Sequence, residues 1–298
     1  MDLTNLKFNN ETRLVPIIGF PMKSSIASLI YNTLFKIYDI NSIMWPIEIE
    51  KGNLAGFLAA AETLKIDRFT LTMPHKADII PFLDKVDESS RLFNSVNTVK
   101  IINGEKIGCG FDGKGNIAAL KAAGANLEGA HVLMLGAGSI SGAIGYELSK
   151  NGVRSLTILN RSVRNAENIA NLLNENTSMH VSFGASTVDN LDNYASITNI
   201  FIQCTPLGMA GFGAKHDYLG FIDKLPYNSY VFDVVPSPPE TEVIKKAKLR
   251  GLITISGLEM MLSQLSEIFD FCFGIRPEAI AIEECRKILY KNFGMTSR

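Results

Sequence analysis

Short apolar runs alternate with longer stretches of helical period almost from the start of the chain, the rhythm of an α/β protein. Val15 to Gly19 reads as a strand and Ile26 to Ile37 as a helix. A second strand fits Ser42 to Ile49, a helix fits Leu54 to Leu64, and a third strand fits Arg68 to Thr72, stopped at Met73-Pro74 because proline has no backbone donor. Asn103-Gly104, the strongest short hairpin signal, stands between Thr98 to Ile102 and Glu105 to Ile107 and closes this block. A helical stretch from Gly115 to Ala123 then leads to His131-Val132-Leu133-Met134-Leu135, whose nearly unbroken apolarity suits a strand buried on both faces of a parallel sheet. Later strands are expected at Ser155 to Leu159, His180 to Phe183, Asn199 to Gln203, Tyr230 to Val234 and Leu252 to Ser256, with helices between most of them. After Gly257 a long amphipathic pattern through Met260, Met261, Leu262, Leu265, Ile268 and Phe269 runs toward a helix at Glu278 to Asn292.

At 298 residues the chain has room for two domains of about 150 residues each. With 46% hydrophobic and 20% charged residues it can bury a full core and is too apolar to be disordered. Its 29 lysines and arginines against 30 acidic residues leave a net charge of -1, so no global positive field recruits nucleic acid or an anionic membrane. A small-molecule role gains by that exclusion. Cys109, Cys204, Cys272 and Cys285 lie far apart and form no zinc pattern, and His131, His180 and His216 are too scattered to add one, so no metal is expected. Residues Met1 to Asn10 lack the basic start and apolar stretch of a signal peptide, and the run Val132 to Leu135 stops at glycines far short of a bilayer span. A soluble cytoplasmic protein with reduced thiols is the expectation.

Gly136-Ala137-Gly138-Ser139-Ile140-Ser141 follows a strand and opens a helix, the context in which a G-x-G-x-x-(G/A) pattern points to a dinucleotide. Gly136 permits the tight turn, Gly138 leaves room for a pyrophosphate, and the small Ser141, a slight departure from Gly or Ala, lets helix and strand approach. An ordinary glycine-rich turn is the plainer alternative. Where an NAD-binding fold places an acid for the ribose 2′-hydroxyl, this chain reads Leu159-Asn160-Arg161-Ser162. Arg161 offers a guanidinium fork for a 2′-phosphate, Arg164 a second cation and Ser162 a hydroxyl, so NADP(H) is the expected cofactor. Lys76 follows a strand end and Asp112 sits where the two blocks meet; such a pair can move the hydroxyl proton that accompanies hydride transfer, although a lysine and an aspartate taken alone are more often a surface pair.

These residues lie within a longer series: Gly19-Phe20-Pro21 with Ser25, Thr72-Met73-Pro74-His75-Lys76, Ser95-Val96-Asn97-Thr98, Asp112-Gly113-Lys114-Gly115, Gly136-Ala137-Gly138, Asn160-Arg161-Ser162, Cys204-Thr205-Pro206-Leu207-Gly208-Met209, Asp233-Val234-Val235 and Gly257-Leu258-Glu259-Met260-Met261-Leu262-Ser263-Gln264. Over nearly its whole length the chain resembles the shikimate dehydrogenase family. The resemblance implies an enzyme of aromatic amino acid biosynthesis that reversibly reduces 3-dehydroshikimate with NADPH. It implies an N-terminal α/β substrate domain, residues 1–112 plus 258–298, and a Rossmann-type, doubly wound parallel-sheet NADP domain, residues 113–257. Lys76 and Asp112 match the catalytic pair, and Ser25, Thr70, Thr72, Asn97 and Gln264 match substrate-binding positions. Gly136, Ala137, Gly138, Ser139, Ile140, Asn160, Arg161, Ser162, Arg164, Thr205, Pro206, Leu207, Met209 and Gly257 match the cofactor site. The partner expected is a small cyclic polyhydroxylated acid, with monomer or homodimer left open.

The chain departs from that pattern around the substrate carboxylate. The family's Ser-x-Ser reads Ser25-Ile26-Ala27, its Asn-Val-Thr begins at Thr70, its Asn-Thr before the aspartate is Gly110-Phe111, and the tyrosine of its Asp-x-x-Tyr is Pro236. Each lost charge-assisted bond is worth roughly 1.5 to 3 kcal/mol, about one to two decades of affinity. Either shikimate binds weakly or the substrate differs at that end, with Thr70 and Ser24 as further hydroxyls within the same sequence blocks. A paralogue acting on quinate, an aminoshikimate or another cyclic polyol is one alternative, and an NADP-binding protein with little turnover is the other. His75, Met260, Met261 and Trp45 are read as packing residues, His75 with a rim position as its other option.

Overall fold

The computed structural model describes residues 9–22 and 25–296, so Ser24 and the first eight residues lie outside the described residues. In chain order the elements are β1 (Arg13–Gly19), α1 (Ala27–Ile37), β2 (Ser42–Glu48), α2 (Leu54–Thr63), β3 (Arg68–Leu71), α3 (His75–Asp78), β4 (Lys85–Val86), α4 (Glu88–Phe93), β5 (Thr98–Ile102) and β6 (Glu105–Cys109). Then come α5 (Asp112–Ala122), β7 (His131–Leu135), α6 (Ser141–Lys150), β8 (Ser155–Asn160), α7 (Val163–Asn176), β9 (His180–Ala185), α8 (Val188–Ala195) and β10 (Ile200–Gln203). The remainder is β11 (Tyr230–Asp233), α9 (Glu242–Leu249), β12 (Ile253–Ser256), α10 (Gly257–Ser263), α11 (Leu265–Phe273) and α12 (Ala279–Asn292). Two compact units divide them: one holds the described residues up to Phe111 and from Leu265 onward, the other holds Asp112–Gln264.

The first unit is built on a mixed sheet of order β2-β1-β3-β5-β6-β4. β1 lies between two parallel neighbours, which is why its last five residues are all buried. β3 meets β5 antiparallel, and β5 and β6 form the hairpin, with Asn103 and Gly104 both at positive φ as a tight primed turn needs. α1 buries Ala27, Ile30, Tyr31, Leu34 and Phe35, the i, i+3, i+4, i+7, i+8 stripe of an amphipathic helix. Tyr31 and Phe35 stack on Phe269 of α11 at 5.4 and 5.7 Å between ring centroids, so the carboxy-terminal helices close the core begun by the amino-terminal ones. Under α2 a second cluster joins Phe57, Phe69, Ile79, Val96 and Val99.

The second unit carries a fully parallel sheet of order β12-β11-β10-β7-β8-β9. The chain leaves β7 toward β8 and β9, then returns to lay β10, β11 and β12 on the other side. The topological switch therefore falls between β7 and β10, where open α/β sheets bind ligands. α10 packs on α5 within this unit, so 258–264 lies here.

Two readings of the chain need correction, and one stretch carried none. β3 ends at Leu71, before Met73-Pro74, where its ladder to β1 runs out, one residue after that to β5. The long pattern after Gly257 is two helices parted at Gln264. Between residues 75 and 93 lie α3, β4 and α4, too short to show a period; α4 is made by its cap, Asp87, whose carboxylate accepts from the Ser90 amide at 3.3 Å.

Candidate active site

In the first unit, three stretches converge at one end of the sheet. The Thr72 amide donates to the Ile18 carbonyl at 2.9 Å and the Phe20 amide to Met73, so the segment after β3 continues along the end of β1. The Leu71 amide donates to Asn97, and the Val96 amide to the Lys76 carbonyl at 3.0 Å. Thr70, Thr72, Lys76 and Asn97 thereby come from one knot of backbone although they span almost thirty residues. Lys76 is half-buried in the short α3. His75 beside it is fully buried and its Nε2 donates to the Ile49 carbonyl at 2.7 Å, which leaves Nδ1 as the bare, unpartnered nitrogen. The imidazole thus packs, and ties α3 to the end of β2; the rim position is ruled out.

Asn97 is buried with its Oδ1 accepting from the Phe111 amide at 3.1 Å and from the Thr98 hydroxyl at 3.2 Å. Its carbonyl end is committed to the protein. The buried Thr70 hydroxyl has no hydrogen-bond partner, an orphan that a ligand or water would satisfy. Ser25 is half-buried just ahead of α1, and Ala27 is buried in its first turn. The structure also accounts for one departure from the family pattern. A Cβ on Gly110 would lie 2.5 Å from both Ser90 Oγ and the Ser95 carbonyl oxygen, so no side chain fits there. Phe111 turns its ring onto Phe271, 5.6 Å between centroids, and is fully packed. A cavity of about 520 Å³ beside α2, lined by Leu14, Ile47, Ile49 and Phe57 among others, holds none of these residues.

In the second unit, Asp112 is buried at the start of α5 and Gln264 caps the end of α10; Gly115 of α5 lies against Gln264, which brings the two helices together. The two members of the expected catalytic pair therefore belong to different units. Asn116, one turn after Asp112, is fully buried with neither amide atom hydrogen-bonded, a feature invisible in sequence because an asparagine mid-helix is ordinarily exposed.

The glycine turn follows β7. Gly136 has φ +112°, and a Cβ there would sit 2.9 Å from the Cys204 carbonyl carbon and the Thr205 nitrogen, so glycine is required twice over. Gly138 is exposed, and its nearest neighbour on the Cβ side is the Cys204 carbonyl oxygen at 4.0 Å. That open side lets a bulky polyanion reach the backbone at the head of α6, where Ser139 and Ile140 lead into the helix. Asn160 ends β8, accepts from the Ala137 amide at 3.3 Å and donates to the Ser162 carbonyl at 3.0 Å, binding the turn to the next strand. Arg161 and Arg164 are exposed beside it, with no acid at the strand end. The residues present fit a dinucleotide carrying a 2′-phosphate.

Thr205, Pro206, Leu207 and Met209 are half-buried in the loop after β10, and Gly257 is buried at the head of α10. Beneath that loop lies Asp233, fully buried, whose carboxyl is pushed up to about 6 by burial against the pull of hydrogen bonds from Thr241, Val235 and Gln203. Burial likewise raises the Cys204 thiol. Nothing local in the sequence links Asp233 to Gln203; only the pairing of β10 with β11 brings them together.

A parallel nucleotide-type sheet with a glycine turn at its switch point and a basic second strand end defines a Rossmann-type dinucleotide-binding protein. The shikimate dehydrogenase substrate binding domain matches residues 17–99, and the shikimate / quinate 5-dehydrogenase domain matches 117–208. Shikimate dehydrogenase (NADP(+)) of Alkaliphilus metalliredigens is 34% identical over 284 residues, covering 95% of this chain and 98% of that protein. The chain belongs to the shikimate dehydrogenase family. Among solved structures, shikimate 5-dehydrogenase from Listeria monocytogenes in complex with shikimate and NAD aligns with a TM-score of 0.85 at 26% identity, covering 95% of this chain and 98% of that one. The ligand-free 5-ketofructose reductase of a Gluconobacter species aligns with a TM-score of 0.83 at 27% identity, covering 96% and 100%.

Proposed function

We propose that the chain is an NADP-dependent oxidoreductase that reversibly reduces 3-dehydroshikimate to shikimate or a close analogue. Family membership carries the reaction type, and the observation that carries activity is that Lys76 and Asp112 are both retained while the surrounding cradle has changed. NADP(H) supplies or accepts the hydride. Lys76 gives a proton to the carbonyl oxygen as it becomes a hydroxyl and takes it back in the reverse direction. Asp112, buried at the start of α5, is the second member of that pair in the family pattern. Thr72, Asn97 and Gln264 bind ring hydroxyls; Ser25 and Thr70 serve the carboxylate. Gly136 to Ile140 and Asn160 form the pyrophosphate turn, Arg161, Ser162 and Arg164 hold the 2′-phosphate, and Thr205 to Leu207, Met209 and Gly257 border the nicotinamide.

Residues 1–112 with 258–298 bind substrate and residues 113–257 bind cofactor in this reading. The enzyme acts in the cytoplasm as a monomer or homodimer; among the described residues no helix is long and apolar enough to cross a membrane. A second reading is favoured by the buried Ala27, which offers no hydroxyl to a carboxylate: a cyclic polyol, quinate or an aminoshikimate as substrate. Assaying NADP-coupled oxidation of shikimate, quinate and a polyol panel tests both. Turnover of shikimate with low KM supports the first, turnover of a polyol alone the second, and turnover of none of them leaves an NADP-binding protein.

A further inference from the structure

Gln203, the last residue of β10, is fully buried, and both ends of its amide reach the loop that follows. Its Oε1 accepts from the Thr205 amide, and its Nε2 donates to the Thr205 carbonyl at 2.9 Å, with the Leu207 carbonyl at 3.5 Å. The same nitrogen lies 3.2 Å from Asp233 Oδ1 on β11. Asp233 is held in turn by the Val235 amide at 3.0 Å and by the Thr241 hydroxyl at 2.5 Å, and Thr241 caps α9 by accepting from Ile244. No cation is among these partners. A carboxylate is costly to bury and is kept here only by donors that surround it.

The place of this network matters. The Cys204 amide donates to the Leu135 carbonyl at 2.7 Å, so the loop leaves β10 beside the end of β7, at the topological switch. Its first residues press against Gly136. Farther out, the loop contains Gly208, Gly211 and Gly213, all at positive φ, and no regular element before residue 220. The amide side chain serves Thr205 at both its N–H and its carbonyl. A leucine would orphan both, and a glutamate would set a second carboxylate against Asp233.

We propose that Gln203 is a positioning residue for the cofactor, holding the Thr205–Leu207 backbone against the glycine turn from an anchor formed by Asp233 and Thr241. The proposal rests on the NADP reading of that turn. Gln203→Leu preserves volume and removes the bonds. Amide hydrogen exchange in peptides covering 204–209 is then expected to quicken at least tenfold, and the NADPH dissociation constant, read by fluorescence titration, to rise about tenfold, with KM for shikimate unmoved. Thr241→Val cuts the anchor at its far end and is expected to move exchange and NADPH affinity in the same direction by less, with Thr241→Ser restoring both. A folded Gln203→Leu protein with wild-type exchange or wild-type NADPH affinity overturns the proposal. If Gln203→Leu does not fold, equal exchange and affinity in Thr241→Val and Thr241→Ser overturn it. Wild-type protein that binds no NADPH removes the cofactor reading and the positioning role together, whereas normal NADPH binding with unmoved variants removes the positioning role alone.

Discussion

In the second unit the turn read as the pyrophosphate site is made of main chain: two glycines, the head of α6, and beside them a loop whose amide and carbonyl groups the Gln203 side chain holds. In the first unit the candidate site is made of single side chains, Thr70, Thr72, Lys76 and Asn97, each delivered by a different part of one backbone knot. Backbone recognises phosphate and pyrophosphate by shape and dipole, which any dinucleotide shares. Individual side chains recognise one pattern of hydroxyls and carboxylates, and a single exchange there changes what fits. Of the departures from the family pattern around the carboxylate, Ala27, Thr70, Gly110 and Phe111 lie in the first unit and Pro236 in the second; Gly110 and Phe111 answer to packing.

The largest effect expected comes from Lys76→Ala. Loss of a general acid and base should lower kcat about 100-fold or more with the NADPH dissociation constant unchanged. Near wild-type turnover would take Lys76 out of the chemistry and leave the substrate half with binding groups alone.

Next is a stability effect confined to the second unit. The Asp233 carboxyl sits at about 6 against an ordinary 3.8 because burial disfavours its charge. Between those values the folded state holds a proton that the unfolded chain has lost, so unfolding free energy falls as pH rises through that window. The total is on the order of 3 kcal/mol. Urea midpoints measured from pH 4 to 7 should therefore decline more steeply in wild type than in Asp233→Asn; parallel profiles would show that the carboxyl titrates normally.

Arg161→Asp should weaken NADPH roughly 10- to 100-fold while NADH changes little, since it removes a fork for the 2′-phosphate and adds repulsion. Equal losses for both cofactors would mean that the basic strand end reads something other than that phosphate. The smallest effect sharpens the comparison on the substrate side: Ala27→Ser should raise kcat/KM for shikimate up to about tenfold through KM, with kcat unchanged. Adding Pro236→Tyr extends the gain, less any backbone shift from removing proline. A wild type with low KM for shikimate that serine does not alter would place the carboxylate on other donors, Thr70 foremost.

Much of this was legible in the chain because it depends on local physics. The alternation of apolar runs with helical stripes marked nearly every strand and long helix, and Asn103-Gly104 marked the hairpin, since both rest on periodicity and on φ preferences of neighbouring residues. Gly136-Ala137-Gly138 and Arg161 declared the cofactor half for the same reason: a turn and the strand end beside it are short-range constructions. What the sequence by itself could not determine lies where distant segments meet. That the Asn97 carbonyl oxygen is taken up, that Gly110 has no room for a side chain, and that His75 is tied to Ile49 follow from backbone groups 14 to 26 residues away. Gln203 and Asp233, 30 positions apart, become one unit only because β10 and β11 lie side by side in the sheet. Periodicity reports which face of an element is buried; the partner a buried polar atom finds is set by strand order, and strand order is a property of the whole fold.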